Sequence, residues 1–98
     1  MGVRILEIKN ILESHKKSLA EKYHVSQIGI FGSHVRDEQS DTSDIDILVD
    51  FSSPISLFEF ISLEEELSIL LKAKVDLVSR KALKPYIGES ILKEVQLV

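Results

Sequence analysis

The 98-residue sequence has no cysteine and no tryptophan, only two prolines, and no long uninterrupted apolar run. Without cysteine, neither a disulfide framework nor a thiolate metal site can form. A membrane helix needs about 20 consecutive apolar residues, and a secretion signal needs an uncharged core, whereas charges interrupt every apolar run near this N-terminus. With 44% hydrophobic residues the chain can still bury a core. We therefore expect a single cytoplasmic domain over residues 1–98, with no membrane partner.

Basic residues are missing from the middle of the chain. From Asp37 to Leu71 there is no Lys, Arg or His, although this stretch contains ten carboxylates. The formal net charge is −4, and the isoelectric point is about 5.3. A protein that grips a nucleic-acid backbone would show a basic stripe and a high isoelectric point. Direct binding of nucleic acid is therefore not expected, whereas a nucleotide that arrives with its metal ions is compatible with this charge.

Helical periodicity occurs in three parts of the chain. Apolar residues recur every three or four positions over 3–22, and the other positions of this segment are mostly Lys and Glu. A second helix is predicted after Ser56, which forms a capping-box pattern with Glu59. Pro85 is typical of a helix start and predicts a last helix that reaches Val95.

Three short segments predict strands, because they are β-branched or alternate between apolar and polar residues: 25–31, 44–50 and 74–79. A short helical turn followed by a polar loop is expected within 34–43. The resulting order α-β-β-α-β-α predicts an α/β fold in which a small mixed sheet is packed with helices.

The most informative segment joins the end of the first predicted strand to the start of the second. Gly32 would let the backbone approach a ligand closely, and Ser33 would stand at the start of a short helix, where phosphate is favoured. Asp44 and Asp46 are two residues apart on a strand and therefore project to the same face. Neighbouring carboxylates raise each other's pKa unless a cation lies between them, and oxygen ligands suit Mg²⁺.

Asp76 is a third candidate carboxylate, in the middle of the last predicted strand. Burial of an unpaired charge at that position would be costly. If this strand lies beside the second one, Asp76 completes a triad with Asp44 and Asp46. Three carboxylates can hold two Mg²⁺ ions about 4 Å apart, which is an arrangement used for in-line phosphoryl or nucleotidyl transfer.

Gly32-Ser33, ten intervening residues and then Asp44-x-Asp46 resemble the signature of the DNA polymerase β-like nucleotidyltransferase superfamily. The chain most resembles its minimal nucleotidyltransferase (MNT) branch, and the likeness extends nearly end to end. This resemblance implies the nucleotidyltransferase fold and Mg²⁺-dependent transfer of AMP from ATP. It also implies an antitoxin whose partner is a HEPN-domain RNase toxin, which is inactivated when one of its tyrosines is adenylylated.

The resemblance implies a role for each residue that matches the family motif. Gly32 and Ser33 would hold the triphosphate, and Asp44 and Asp46 would bind both metal ions. Asp76 would be the third ligand and would assist deprotonation of the acceptor hydroxyl. An oligomer formed with the toxin is compatible with this role.

The other candidate residues have a structural interpretation, and Arg36 has two possible roles. Arg36 could bind phosphate or pair with a carboxylate such as Asp50, which we expect to cap the turn after its strand. Phe58 is expected in the core, and Glu64–Glu66 is expected to form a solvated helix face. The sequence assigns no role to Tyr86.

Two other functions compete with the catalytic antitoxin. An antitoxin could neutralise its toxin simply by covering it, although a vestigial site has no use for three clustered carboxylates. A transferase for a small molecule would usually need an additional acceptor-binding domain, for which 98 residues leave no room. We therefore expect the acceptor to be a protein side chain that a partner presents to an open site.

Overall fold

The computed structural model describes residues 5–32, 44–82 and 91–98. Two longer helices and four strands account for most of these residues. In chain order they are α1 (Ile5–Tyr23), β1 (Val25–Phe31), β2 (Ile45–Phe51), α2 (Leu57–Leu71), β3 (Val75–Ser79) and β4 (Gln96–Leu97). A 3-10 turn, Arg80–Ala82, follows β3, and residues 91–94 form a helical turn before β4. Across the described ranges, no helix is long and apolar enough to cross a membrane.

The strands form one mixed sheet in the order β3-β2-β1-β4. β1 is antiparallel to β2 and to β4, whereas β2 and β3 are parallel. Parallel strands need a crossover connection, which α2 provides. The carboxyl end of β1 therefore lies at the same end of the sheet as the amino ends of β2 and β3.

The hydrophobic core lies between α1, α2 and one face of the sheet. Alternate residues of the strands point into it, and leucines at helical spacing cover them. The residues that are almost completely buried in this cluster include Ile8, Leu12, Leu19, Ile28, Ile30, Ile45, Ile47, Val49, Leu63, Leu67 and Leu71.

The opposite face of the sheet carries Asp46, Leu48 and Asp50 of β2. Residues 91–95, which precede β4, pack on part of this face. A Cβ added at Gly29 would lie 2.7 Å from Cγ2 of Val95, so the close approach of this segment requires glycine at that position. Leu48 is consequently only 4% exposed although it points away from the main core.

The predicted capping box of α2 is confirmed. The backbone N–H of Glu59 donates to Ser56 Oγ at 3.2 Å, and the Ser56 N–H donates to Glu59 Oε1 at 3.1 Å. At the other end Lys72, with φ 54°, ends the helix in the left-handed region. This fixes both ends of the crossover between β2 and β3.

Most predicted elements are confirmed, and two expectations about the ends of the chain are corrected or left open. The sheet has a fourth strand, which the sequence did not predict because a two-residue strand shows no alternation. Of the predicted last helix, 83–90 lies outside the described residues and 91–94 is helical. Val95 follows the helical turn, and its N–H donates to the carbonyl of Ile91 at 2.8 Å. The helical turn predicted within 34–43 also lies outside the described residues.

Two expectations about α2 side chains are wrong. Phe58 is 83% exposed and does not lie in the core, because its position on the helix faces away from the sheet. Glu64 is not simply solvated, since its Oε2 accepts a hydrogen bond from the backbone N–H of Leu77 at 3.0 Å. Glu66 pairs with Lys22 at 2.6 Å.

Candidate active site

Asp46 and Asp76 lie directly beside each other in the parallel pair formed by β2 and β3. Neighbouring strands are about 4.8 Å apart, and register partners project to the same face. Asp46 is half-buried and Asp76 is exposed. The cost of burying a charge at Asp76 therefore does not arise, and an incoming molecule can reach its carboxylate from solvent.

Asp44 immediately precedes β2 and is 44% exposed at its side chain. Its Oδ2 lies 3.9 Å from Nζ of Lys74, the residue that immediately precedes β3. The two strand starts are also joined by a hydrogen bond from the Ile45 N–H to the Lys74 carbonyl, at 2.9 Å. All three predicted carboxylates are thus at one end of the sheet.

Gly32 closes β1 next to these carboxylates. Its φ is +81°, in the left-handed region, and a Cβ at this position would overlap Oδ2 of Asp46. Any other residue would displace the Asp46 carboxylate and would strain the backbone. The glycine therefore permits the close approach of a carboxylate of the site itself, whereas the approach of a ligand to Gly32 stays a prediction.

Glu94 also belongs to this region, although no sequence pattern indicated it. Its Oε2 accepts a hydrogen bond from the Gly32 N–H at 3.2 Å. The contact joins residues 62 positions apart, and the only signal in the sequence was a carboxylate within a predicted helix. This hydrogen bond links the C-terminal segment to Gly32, which lies against the Asp46 carboxylate.

The donor set at this end of the sheet suits Mg²⁺ rather than a transition metal, because it consists of carboxylate oxygens. Within 5–32, 44–82 and 91–98, no group of three Asp, Glu, His or Cys side chains is placed to hold a metal ion by itself. Mg²⁺ is commonly held by one or two carboxylates together with substrate phosphates and water. The adjacent Asp46 and Asp76, with Asp44 close by, fit this mode of binding. The complete triad stays a prediction, and Ser33 and Arg36 lie outside the described residues.

The same face of the sheet has a second polar group at its other end. Asp50 lies four residues beyond Asp46, about 13 Å along the strand. Its Oδ1 accepts from the Phe51 N–H at 3.0 Å, and its Oδ2 lies 3.8 Å from Arg80. A pocket of about 250 Å³ opens here, lined by Gln27, Leu48, Asp50, Arg80, Leu92, Val95 and Leu97.

The fold and the site together define a nucleotidyltransferase: a small mixed sheet, a glycine with positive φ at the end of β1, and carboxylates at the starts of β2 and β3. The nucleotidyltransferase domain model matches residues 12–98. The chain belongs to the nucleotidyltransferase domain family. The protein adenylyltransferase MntA of Thermococcus cleftensis is 51% identical over 92 residues, which cover 94% of this chain and 93% of that protein.

Two solved structures show the same fold at low identity. One is a toxin–antitoxin complex with AMP-PNP, with a TM-score of 0.73 and 23% identity, covering 87% of this chain and 69% of that chain. The other contains a tri-AMPylated HEPN toxin of Shewanella oneidensis with an MNT antitoxin, with a TM-score of 0.67 and 20% identity, covering 92% and 70%. The predicted minimal nucleotidyltransferase fold and the predicted enzyme class, an ATP-dependent nucleotidyltransferase, are confirmed.

Proposed function

We propose that this protein is the antitoxin of a toxin–antitoxin pair and transfers AMP from ATP, with Mg²⁺, to a tyrosine of a HEPN-domain toxin. The observation that carries the proposal is the register pairing of Asp46 with Asp76 beside Gly32. The name of the Thermococcus cleftensis relative, a protein adenylyltransferase, supports AMP transfer to a protein. The AMPylated HEPN toxin bound to an MNT antitoxin supports the choice of partner.

In this proposal Gly32 and Ser33 hold the triphosphate, and Asp44, Asp46 and Asp76 hold up to two Mg²⁺ ions. Bound there, Mg²⁺ would offset the negative charge of the triphosphate and make the acceptor hydroxyl more acidic. The tyrosine oxygen forms a bond to the α-phosphorus, the bond from that phosphorus to the bridging oxygen breaks, and pyrophosphate leaves. Asp76 accepts the proton of the hydroxyl, which has a pKa of about 10 when it is unperturbed.

The exposure of Asp76 supports a protein acceptor. β3 is an edge strand among the described elements, so a side chain carried by another protein can approach the carboxylate from solvent. A site that is open on one side gains its reactive geometry when the partner places the hydroxyl in line with the α-phosphate. This is the reason to propose a macromolecular acceptor rather than a small molecule.

The central experiment compares two Asp→Asn variants of the same strand face. Asp46→Asn should reduce AMP transfer to the HEPN-domain toxin of the proposed pair by about 10³-fold or more, because it removes a shared carboxylate of the site. Asp50→Asn is the matched control, since it removes the same charge about 13 Å away. Labelled ATP with Mg²⁺, followed by mass spectrometry of the toxin, should place AMP on tyrosine with the wild type and with Asp50→Asn.

Two results would contradict the proposal. If Asp46→Asn protects cells from the toxin as well as the wild type does, neutralisation occurs by covering the toxin. If label appears only on a small molecule or on RNA, the acceptor class is wrong.

Metal dependence is tested separately by calorimetry on the isolated protein. Mg-ATP should bind, and ATP in EDTA should bind hardly at all, because Asp44, Asp46, Asp76 and Glu94 surround the site with negative charge and repel a bare triphosphate. Equal affinity with and without Mg²⁺ would remove the argument for a metal site.

A further inference from the structure

A groove of about 370 Å³ lies between α2 and the edge strand β3. It is lined by Glu64, Glu65, Ser68, Ile69, Lys74 and Val75. Along the outer side of α2 the apolar surface continues through residues that are 83% (Phe58), 44% (Ile61) and 76% (Ile69) exposed. Positions 58, 61, 65 and 69 are spaced by three and four residues and therefore share one side of the helix, over about 17 Å. We name Phe58, Ile61, Glu65 and Ile69 the α2 stripe.

At the β3 edge beside the groove, two backbone N–H groups already donate hydrogen bonds to side chains of α2. The Val75 N–H donates to Ser68 Oγ at 3.1 Å, and the Leu77 N–H donates to Glu64 Oε2 at 3.0 Å. A partner therefore cannot readily add a strand beside the groove, because the N–H groups of Val75 and Leu77 already have acceptors. The surface is suited to side-chain docking, with an apolar group in the groove.

The groove is continuous with the acceptor side of the site. Lys74 lines the groove and also lies 3.9 Å from Asp44. Val75 lines the groove as well, and the next residue of β3 is Asp76. A protein seated on the α2 stripe would thus have part of its surface at the end of the sheet where its hydroxyl must react.

Charge determines which kind of partner the surface favours. Glu59, Glu64 and Glu66 are engaged in contacts within the chain, whereas Glu65 has no hydrogen bond or ion pair among the described residues. Throughout 37–71 there is no basic residue, and Lys74, the basic residue in the groove lining, faces Asp44 at 3.9 Å. A second copy of this chain would bring two acidic helix faces together, which is unfavourable, whereas a basic surface would be complementary.

We propose that the α2 stripe and the adjoining groove dock the acceptor protein, which inserts an apolar side chain beside Ile69 and pairs a Lys or Arg with Glu65. The identification of this partner as the acceptor rests on the proposed function. The docking surface holds the acceptor while the carboxylates carry out the transfer, so the two regions contribute to different steps.

The test uses Ile69→Asp and Glu65→Lys in the full chain, with the HEPN-domain toxin of the proposed pair as the probe. Each variant should raise the KM for this acceptor and the Kd of the complex by about tenfold or more, with kcat at saturating acceptor and Mg-ATP affinity within about twofold of the wild type. Leu6→Asp is the matched control, because Leu6 is 67% exposed on α1 and lies outside the stripe. This control should leave KM and Kd within about twofold.

The outcomes separate docking from the alternatives. If Ile69→Asp and Leu6→Asp have equal effects, or if kcat alone falls, the docking surface is wrong. If the wild-type protein without its partner sediments as a dimer, and Ile69→Asp dissociates this dimer, the stripe binds a second copy and the proposal is overturned. If the HEPN protein binds through the stripe but receives no AMP, the docking surface is supported and the proposed function fails. Unfolding midpoints of the variants check that each is folded.

Discussion

Gly32 is the residue at which the backbone conformation and the site depend on each other most directly. Its positive φ ends β1, and the space beside its Cα is filled by the carboxylate of Asp46. The same glycine donates its N–H to Glu94. One small residue therefore lets two carboxylates from distant parts of the chain approach the end of a strand.

Gly32→Ala should reduce AMP transfer by about 10²-fold or more, because the new methyl group displaces the Asp46 carboxylate from its position beside Asp76. It should also lower the free energy of unfolding by about 1–3 kcal/mol, since alanine is strained at this φ. Transfer assays and urea unfolding measure the two effects.

The matched control is Gly29→Ala, whose Cβ would meet Val95 Cγ2 at 2.7 Å and no carboxylate. This variant should lose stability but keep most of its activity at a temperature where it is folded. If Gly32→Ala transfers AMP at the wild-type rate, the Asp46 carboxylate does not lie against Gly32.

At the scale of elements, α2 combines three tasks: it makes the crossover between two parallel strands, closes the edge of the sheet, and presents the α2 stripe. Its start depends on the capping box of Ser56 and Glu59. The Ser56 N–H, as the main cause, and then its side chain lower the pKa of Glu59 from the ordinary value.

This lowered pKa predicts a pH dependence of stability. A carboxylate whose pKa is lower in the folded state adds stability above its unfolded pKa, and this contribution is lost as the pH falls through the folded value. Wild type should therefore be more stable than Glu59→Gln at neutral pH. The difference should decrease below about pH 4.3, the ordinary pKa of glutamate.

Urea unfolding at a series of pH values measures this difference. Glu65→Gln is the control on the same helix, because Glu65 has no hydrogen bond among the described residues, and it should follow the wild type. A constant difference between wild type and Glu59→Gln down to pH 3, on the order of one unit below the ordinary pKa, would show that the capping carboxylate does not titrate as expected.

The edge of β3 gives a second prediction at this scale. Glu64→Ala removes the acceptor of the Leu77 N–H and should lower the free energy of unfolding by about 1–2 kcal/mol. It should also increase aggregation, because an outward backbone donor of an edge strand becomes free. Thermal unfolding and light scattering measure the two changes.

The neighbouring residue provides the control for this experiment. Glu65→Ala removes the same kind of side chain without a backbone contact and should change stability by less than about 0.5 kcal/mol. Equal behaviour of the two variants would show that Glu64 does not protect the strand edge.

At the scale of the whole molecule, the C-terminal segment joins parts of the chain that are far apart in sequence. β4 pairs with β1, and the Val98 N–H donates to the Ile28 carbonyl at 2.9 Å. Lys16 Nζ donates to the Val98 carbonyl at 2.9 Å. The segment also covers Leu48 and carries Glu94 to Gly32.

Deletion of residues 96–98 should therefore lower the free energy of unfolding by about 2–4 kcal/mol, through lost hydrogen bonds and newly exposed apolar surface. Val98→Ala is the control, since it keeps every backbone bond, and it should cost about 1 kcal/mol. Urea unfolding measures both. An unchanged midpoint for the deletion would contradict the role of β4.

The sequence alone determined the features that depend only on residues close together in the chain. Alternation and β-branching predicted β1 with its observed bounds, and the starts and ends of β2 and β3 to within one residue, because a strand's side-chain period is local. The capping box predicted where α2 begins for the same reason. The spacing of Gly32-Ser33 and Asp44-x-Asp46 indicated the family, because that spacing is a property of one continuous stretch of sequence.

Only the tertiary structure decided which distant residues meet. The pairing of Asp46 with Asp76 depends on parallel register across 30 positions, and a shift by one residue would turn Asp76 to the other face. No local sequence pattern indicates that Glu94 contacts Gly32. The same is true of β4, which has only two residues. The exposure of Phe58 and the hydrogen bond of Glu64 depend on how α2 lies against β3. The physical reason is common to all of them: hydrophobic periodicity indicates which face of an element is buried, but not which residue of another element it will contact.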